Sequence, residues 1–339
     1  MTNAIVVADD VGTAPRGRSW TETVRRLLHS NETLGPSAVL LLAVITFSII
    51  APHFGEAANV SLILQQTAVI GALAVGQTLI ILTAGIDLSV GGIMVLSSIM
   101  MAYLSVSHGV PAALALVIGF VIGTACGLVN GLLVTFLKLP SFITTLGTWN
   151  VFFALNLYVS KSRTIIGLDP LLTLPGSTFT VFGTTVTLGS VIMLGLFVVV
   201  AYLLQMTQFG RHVYAVGGAE EASRLSGIRV RRLVLSVYAL AGFIFAIGAW
   251  IQMGRLASAS PQIGTTYNLD SITAVVIGGT SLAGGRGRIL GTLVGALVVA
   301  VFRNGLALAR VDVLWQNFAV GVLIIVAVGI DQWIRKVKS

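Results

Sequence analysis

The chain has 339 residues, 56% of them hydrophobic and only 9% charged, with a mean hydropathy of +0.97. A soluble domain averages about 25% charged residues, so this composition excludes a water-soluble globular protein. The net charge of +8 does not point to nucleic acid, because the basic residues flank apolar runs instead of forming one patch.

Residues 1–33 are polar, carry Arg16, Arg18, Arg25 and Arg26, and hold no apolar core of a signal peptide. They read as a cytoplasmic tail with a short amphipathic helix around residues 20–28. Apolar runs follow at 34–51, 63–82, 89–106, 110–137, 142–159, 186–205, 233–253, 271–282, 289–309 and 314–334. Most approach the ~20 residues that cross a hydrocarbon core. The run at 271–282 is too short for a straight span. It reads as a broken or re-entrant segment, tolerated only where protein packs around it or where it lines a cavity.

Counted as a crossing, that run brings the total to about ten. The expectation is an all-α polytopic membrane protein with a transmembrane domain at 34–334. Cytoplasmic tails lie at 1–33 and 335–339, and a cytoplasmic loop at 207–232. Under this topology 15 Lys and Arg residues lie inside, while Lys161, Arg163, Arg255 and Arg310 lie outside and Arg303 falls within a span. This is the bias that orients membrane proteins. If 271–282 does not cross, Arg286, Arg288 and the terminal RKVK move outside and the bias weakens. The outer loops at 160–185 and 254–270 could meet an external partner or simply connect spans.

Four stretches interrupt the apolar pattern. The first, TAGIDLSVGG at 83–92, places Asp87 and Ser89 just before an apolar run. They could cap the following helix or form an irregular polar hinge lining a path; Gly85 belongs to the same break. The second, LPSFITTLGT at 139–148, carries Thr144, Thr145 and Thr148 on the first turns of a span. Threonine hydroxyls often bond back to their own helix; the alternative is a polar stripe for a hydroxyl-rich solute. Asn130, Asn150 and Asn156 add neutral amides at or near span depth. Such amides commonly join helices.

The third, at 209–233, is the one long charged segment between long apolar runs, with five arginines, two glutamates and a histidine. Within it, Glu220 to Gly227 reads as a short helix. Glu220 and Glu221 sit at its N-terminus, Arg224 further on, Ala222 and Leu225 on one face, and Gly227 at its stop. It is either a surface helix of a basic inside loop or a segment that docks into a partner's groove. The fourth, IGGTSLAGGRGRIL at 277–290, contains Gly278, Gly279 and Thr280 and faintly repeats the first, hinting at an internal repeat. Asp270, just before the run at 271–282, reads like Asp87 as lying near a span end. Despite its glycines, the chain has no Gly-Lys dipeptide and so no Walker A loop. The single cysteine, Cys126, and the four scattered histidines offer no metal cluster, and no enzyme site is apparent.

These stretches, with GQTLIILTAGIDLSVGGIM at 76–94, GLVNGLLV at 127–134, GRHVYAVGGAEEASRLSGI at 210–228 and LDSITAVVIGGTSLAGGRGRILGTLVGAL at 269–297, resemble the permease subunit of bacterial carbohydrate ABC importers of the ribose-transport type. The resemblance implies a multi-pass inner-membrane subunit that passes a ribose-like pentose or hexose by alternating access. It further implies a second permease chain, a cytoplasmic ABC ATPase that uses ATP and Mg, and a periplasmic sugar-binding protein. This chain would bind no cofactor. Residues 210–228 would be the ATPase-coupling segment, including Ala215, Gly217, Gly218, Glu220, Glu221, Ala222, Arg224, Leu225, Gly227 and Ile228. Ala219 departs from the family's usual Asn, which removes a cap from the short helix. The competing reading is an ion-coupled transporter of a small polar solute, which needs ionisable groups at mid-membrane.

Overall fold

A computed structural model describes residues 34–336. The helix expected at 20–28 lies outside the described residues. Ten longer helices account for most of the chain. They are α1 (Leu34–Ile50), α2 (Ala57–Leu82), α3 (Val90–His108), α4 (Ala112–Phe136), α5 (Ser141–Ser160), α7 (Leu188–Met206), α10 (Val230–Leu256), α11 (Gly264–Ile277), α12 (Ile289–Leu308) and α13 (Val313–Lys336). Between them lie three shorter helices, α6 (Pro170–Thr173), α8 (Gln208–Gly218) and α9 (Glu220–Leu225). Among the described residues, seven helices are long and apolar enough to cross a membrane: α2, α3, α4, α5, α7, α10 and α12.

The core is built around α2 and α10. From Thr67 to Leu82, every residue of α2 is buried, as expected of a helix apolar on all sides. Helices α4 and α10 cross closely. A Cβ on Gly127 would lie 2.2 Å from the Tyr238 carbonyl oxygen, so only glycine permits this approach. By contrast, α4, α5 and α7 each turn an apolar face outward, with Val121 and Leu132 of α4 and Ile143 and Val151 of α5 exposed. Such faces suit a hydrocarbon solvent.

The two ends of α10 mark the two ends of the bundle. Beyond its C-terminus, Ile165 and Ala259 exchange backbone hydrogen bonds of 2.8 and 2.9 Å, joining the two loops expected outside. The longer of these departs from an all-α reading. Strands β1 (Thr178–Val181) and β2 (Thr184–Thr187) pair antiparallel, with Thr178 opposite Thr187 and Val181 opposite Thr184. The two turn residues, Phe182 and Gly183, both have positive φ, as tight hairpins require. The Trp250 indole N–H donates to the Leu171 carbonyl at 3.0 Å, pinning α6 to α10.

The short segment expected at 271–282 is displaced toward the N-terminus. Helix α11 starts at Gly264, so half of it comes from the supposed outer loop. Its 14 residues span ~21 Å, short of a hydrocarbon core of ~30 Å. Residues 278–288 follow as irregular backbone, with Gly278, Thr280, Ser281 and Gly284 buried and Gly279, Ala283, Arg286 and Arg288 exposed.

Candidate functional site

The helix breaks at 83–89 and 278–288 are locally equivalent. Ala84 and Gly279 both adopt left-handed backbone, with φ of 60° and 85°. The Ala84 N–H donates to Ile81 O at 2.9 Å, and the Gly279 N–H to Val276 O at 2.9 Å. The next residue then reaches five back: Gly85 to Ile80 O at 3.1 Å, Thr280 to Val275 O at 3.2 Å. The same C-cap closes α2 and α11. In that register Leu88 and Ser89 fall opposite Ala283 and Gly284, and Gly91 and Gly92 opposite Arg286 and Gly287, so the likeness is one of cap geometry and not of the sequence motif.

A buried polar network fills the first break. Asp87 is wholly buried. Its Oδ1 accepts from the Ser89 N–H and the Ser89 hydroxyl, both at 2.6 Å. Asn130 of α4 donates to Ser89 Oγ at 2.7 Å and to Asp87 Oδ2 at 3.3 Å, while its Oδ1 accepts from the Thr148 hydroxyl of α5 at 2.7 Å. Thr145 accepts from the Leu88 N–H at 3.0 Å, and Ser141 from the Ile86 N–H at 3.1 Å. The break is thereby tied to both α4 and α5. Asp87 does not cap α3, whose N-cap residue Ser89 makes no side-chain cap bond. Thr144 does bond back to Pro140 O at 3.0 Å, whereas Thr145 and Thr148 also bridge elements. Asn150 only bonds its own helix, at Leu146 O, and Asn156 holds Pro261 O at 3.0 Å.

Helix α11 carries the second polar group. Asp270 is not near a span end but in the middle of α11. Its Oδ1 accepts from Arg303 Nε at 2.9 Å and Nη2 at 2.7 Å. The arginine placed inside a span thus has a counter-ion on the next helix. Asn268 Oδ1 accepts from the Gly91 N–H at 2.5 Å, joining α11 to the start of α3. Thr280 has no hydrogen-bond partner for its buried hydroxyl among the described residues. Gly278 packs against Gly291 of α12.

Helix α8, which the sequence reading missed, meets both breaks. The Gly285 N–H donates to Leu82 O at 3.0 Å, and the Tyr214 hydroxyl to Gly287 O at 2.9 Å. Gly217 sits in the angle between them. A Cβ there would lie 1.8 Å from Leu82 O and 2.6 Å from the Gly285 nitrogen. Val213 and Val216 bury one face of α8, while Ala215 and Gly218 lie on its exposed side. Beyond Gly218 the chain turns into α9, whose surroundings are open. Ala222 and Leu225 are exposed, Leu225 by 78%. Arg224 binds Glu221 at 2.5 Å and holds its carboxyl below the usual range, first by hydrogen bonding and then by charge; Glu220 is exposed beside them. Ala219 supplies no side-chain cap, and Gly227, with φ of 88°, ends the turn before half-buried Ile228.

The geometry is that of a multi-pass membrane protein with two matching breaks and one exposed helical appendage. A family model described as "Branched-chain amino acid transport system / permease component" matches residues 59–328. The chain belongs to that permease family. Among curated relatives, the permease is 46% identical to a fructose import permease protein of Rhizobium meliloti, over 95% of this chain and 91% of the relative. It is 42% identical to a ribose import permease protein of Bacillus subtilis, covering 92% and 97%. It is 35% identical to a galactose/methyl galactoside import permease protein of Escherichia coli, covering 86% and 91%. No solved structure matches the chain. Both helix breaks, α8 and α9 lie inside the matched permease region.

The polar network of the permease brings together Asp87, Ser89, Asn130 and Thr145, with Gly85 in the adjoining cap. Asp270, Gly278, Gly279 and Thr280 form a separate group around the second break. The bridging residues that escaped the sequence reading include Ser141, Tyr214, Asn268 and Thr292, whose hydroxyl meets Thr78 at 2.9 Å. Asn268 was readable as an amide near an aspartate. The others carry no signal beyond one polar atom in an apolar setting.

Proposed function

We propose that this permease is the membrane subunit of an ATP-driven importer of a monosaccharide in the bacterial inner membrane. The observation that carries the reading is the near full-length match to sugar import permeases, fructose first and ribose next. The family description names branched-chain amino acids, but the individual relatives share far more of the chain's detail and are sugar permeases.

Ten crossings fit best, with α11 and its break counted as one, both termini cytoplasmic, and 207–232 on the cytoplasmic side. That puts Arg286 and Arg288 beside the α8–α9 arm, in keeping with the positive-inside rule. Helix α9 docks on a cytoplasmic ATPase, which supplies ATP and Mg chemistry that this chain, lacking Walker A, does not carry out. Through α8, movement of α9 pulls on Leu82 and on Gly285 together, and so on both breaks. A second permease chain completes the path, and a periplasmic binding protein delivers the sugar. The polar groups at the first break are neutral apart from Asp87, which suits an uncharged polyol. An ion-coupled carrier is disfavoured, because the internal arginine is already neutralised by Asp270.

The test is uptake of labelled fructose, ribose and galactose into proteoliposomes holding the permease, its ATPase and its binding protein. Uptake that needs ATP and ignores proton and sodium gradients is expected. Uptake driven by either gradient without the ATPase would refute the assignment.

A further inference from the structure

Beside the coupling arm, a groove of about 450 Å³ runs between α8 and the first two turns of α10. His212, Arg229 and Arg232 line it, with Ser226 and Gly227 at its rim and Leu233 and Ser236 along α10. Arg229 and Arg232 are exposed, and neither pairs with an acid among the described residues. Two arginines therefore border one concavity whose lining holds no acidic residue.

The lining of the groove suggests what fills it. Arg229 and Arg232 lie at the point where α10 enters the bundle, and Leu233 and Ser236 lie one turn further in. Ser236 is exposed and Leu233 buried, so the groove continues from the charged loop onto the side of a span. A ligand that fits carries a phosphate at one end and an apolar body at the other. Basic pockets between spans on the cytoplasmic side recognise such headgroups.

We infer that this groove binds the phosphate of an anionic phospholipid headgroup, with Arg229 and Arg232 as its ligands. The inference depends on the cytoplasmic placement of 207–232, not on ATPase docking by α9. Lipid held there would brace the base of α10 beside the coupling arm.

Native mass spectrometry of the purified full-length permease, with phosphatidylglycerol or phosphatidylcholine added, tests this. Wild type should retain phosphatidylglycerol as a discrete adduct and phosphatidylcholine weakly. Arg229→Gln/Arg232→Gln should weaken phosphatidylglycerol binding by at least ~10-fold, as expected for losing charge-assisted contacts. Arg229→Lys/Arg232→Lys should restore much of it, and Arg211→Gln, outside the groove, should leave it unchanged. Melting temperatures should match across the set, which excludes misfolding as the cause. Equal retention of both lipids would overturn the inference, as would an unaffected double variant. Full displacement by inorganic phosphate would assign the site to a free anion instead. A double variant that binds lipid normally yet loses the ATPase would assign these arginines to the ATPase contact.

Discussion

Leu225→Glu offers the sharpest test of coupling. Full burial of a leucine side chain contributes ~1.5–3 kcal/mol. Leu225 is 78% exposed in the chain alone, so docking has ~1.2–2.3 kcal/mol of its burial still to gain. At 1.4 kcal/mol per tenfold, that is ~7–50-fold in affinity. The introduced carboxylate adds a desolvation cost at the same contact, so the ATPase should dissociate at least ~10-fold more readily. The fold should not suffer, because Leu225 packs against almost nothing in the permease. The assay is co-purification of the ATPase with wild type and variant, alongside sugar uptake and permease abundance in membranes. Loss of ATPase and uptake at normal abundance is expected. Unchanged recovery and uptake would show that α9 is merely a solvated surface helix, and the coupling assignment would fall.

Gly217→Val should uncouple ATP hydrolysis from uptake or prevent assembly, since even a Cβ would sit 1.8 Å from Leu82 O; uptake per ATP hydrolysed measures it, and normal stoichiometry would refute the joint. Asp87→Asn should reduce uptake with assembly intact, because its new amide donor opposes the Asn130 amide that now donates to Asp87 Oδ2; near-normal uptake would leave Asp87 a local turn former. Arg303→Leu should destabilise the permease by ~3–5 kcal/mol by stranding buried Asp270, and Asp270→Leu in the same chain should recover most of the loss; thermal melts of both variants in detergent decide it. In a Cys126→Ser background, Lys161→Cys should react with an impermeant thiol reagent in intact cells and Glu220→Cys only after permeabilisation. Early labelling of the latter would invert the topology.

Much was legible in the sequence because hydrocarbon is an unforgiving solvent. Long apolar runs can only be helices there, so the positions of α2 to α5, α7, α10 and α12 follow from composition. The surface helix at 220–225 is likewise readable from its local ion pair. Where contacts are local, the sequence states them.

Where contacts are long-range, it does not. Asp87, Asn130 and Thr148 are separate polar residues in the chain, each with a local explanation, and only folding turns them into one network spanning three elements. Asp270 looked terminal because the apolar run starts after it. Its partner Arg303, 33 residues away, supplies the counter-ion that lets Asp270 be buried in mid-helix. Likewise α8 carries Phe209, Val213 and Val216 at helical spacing, but its three glycines, Gly210, Gly217 and Gly218, argue against a helix from sequence alone. It becomes a helix because Gly217 and Tyr214 find Leu82, Gly285 and Gly287 to pack and bond against. Solvent exclusion determined the spans residue by residue, whereas the joints between them depend on which polar groups the packed helices bring within hydrogen-bond reach.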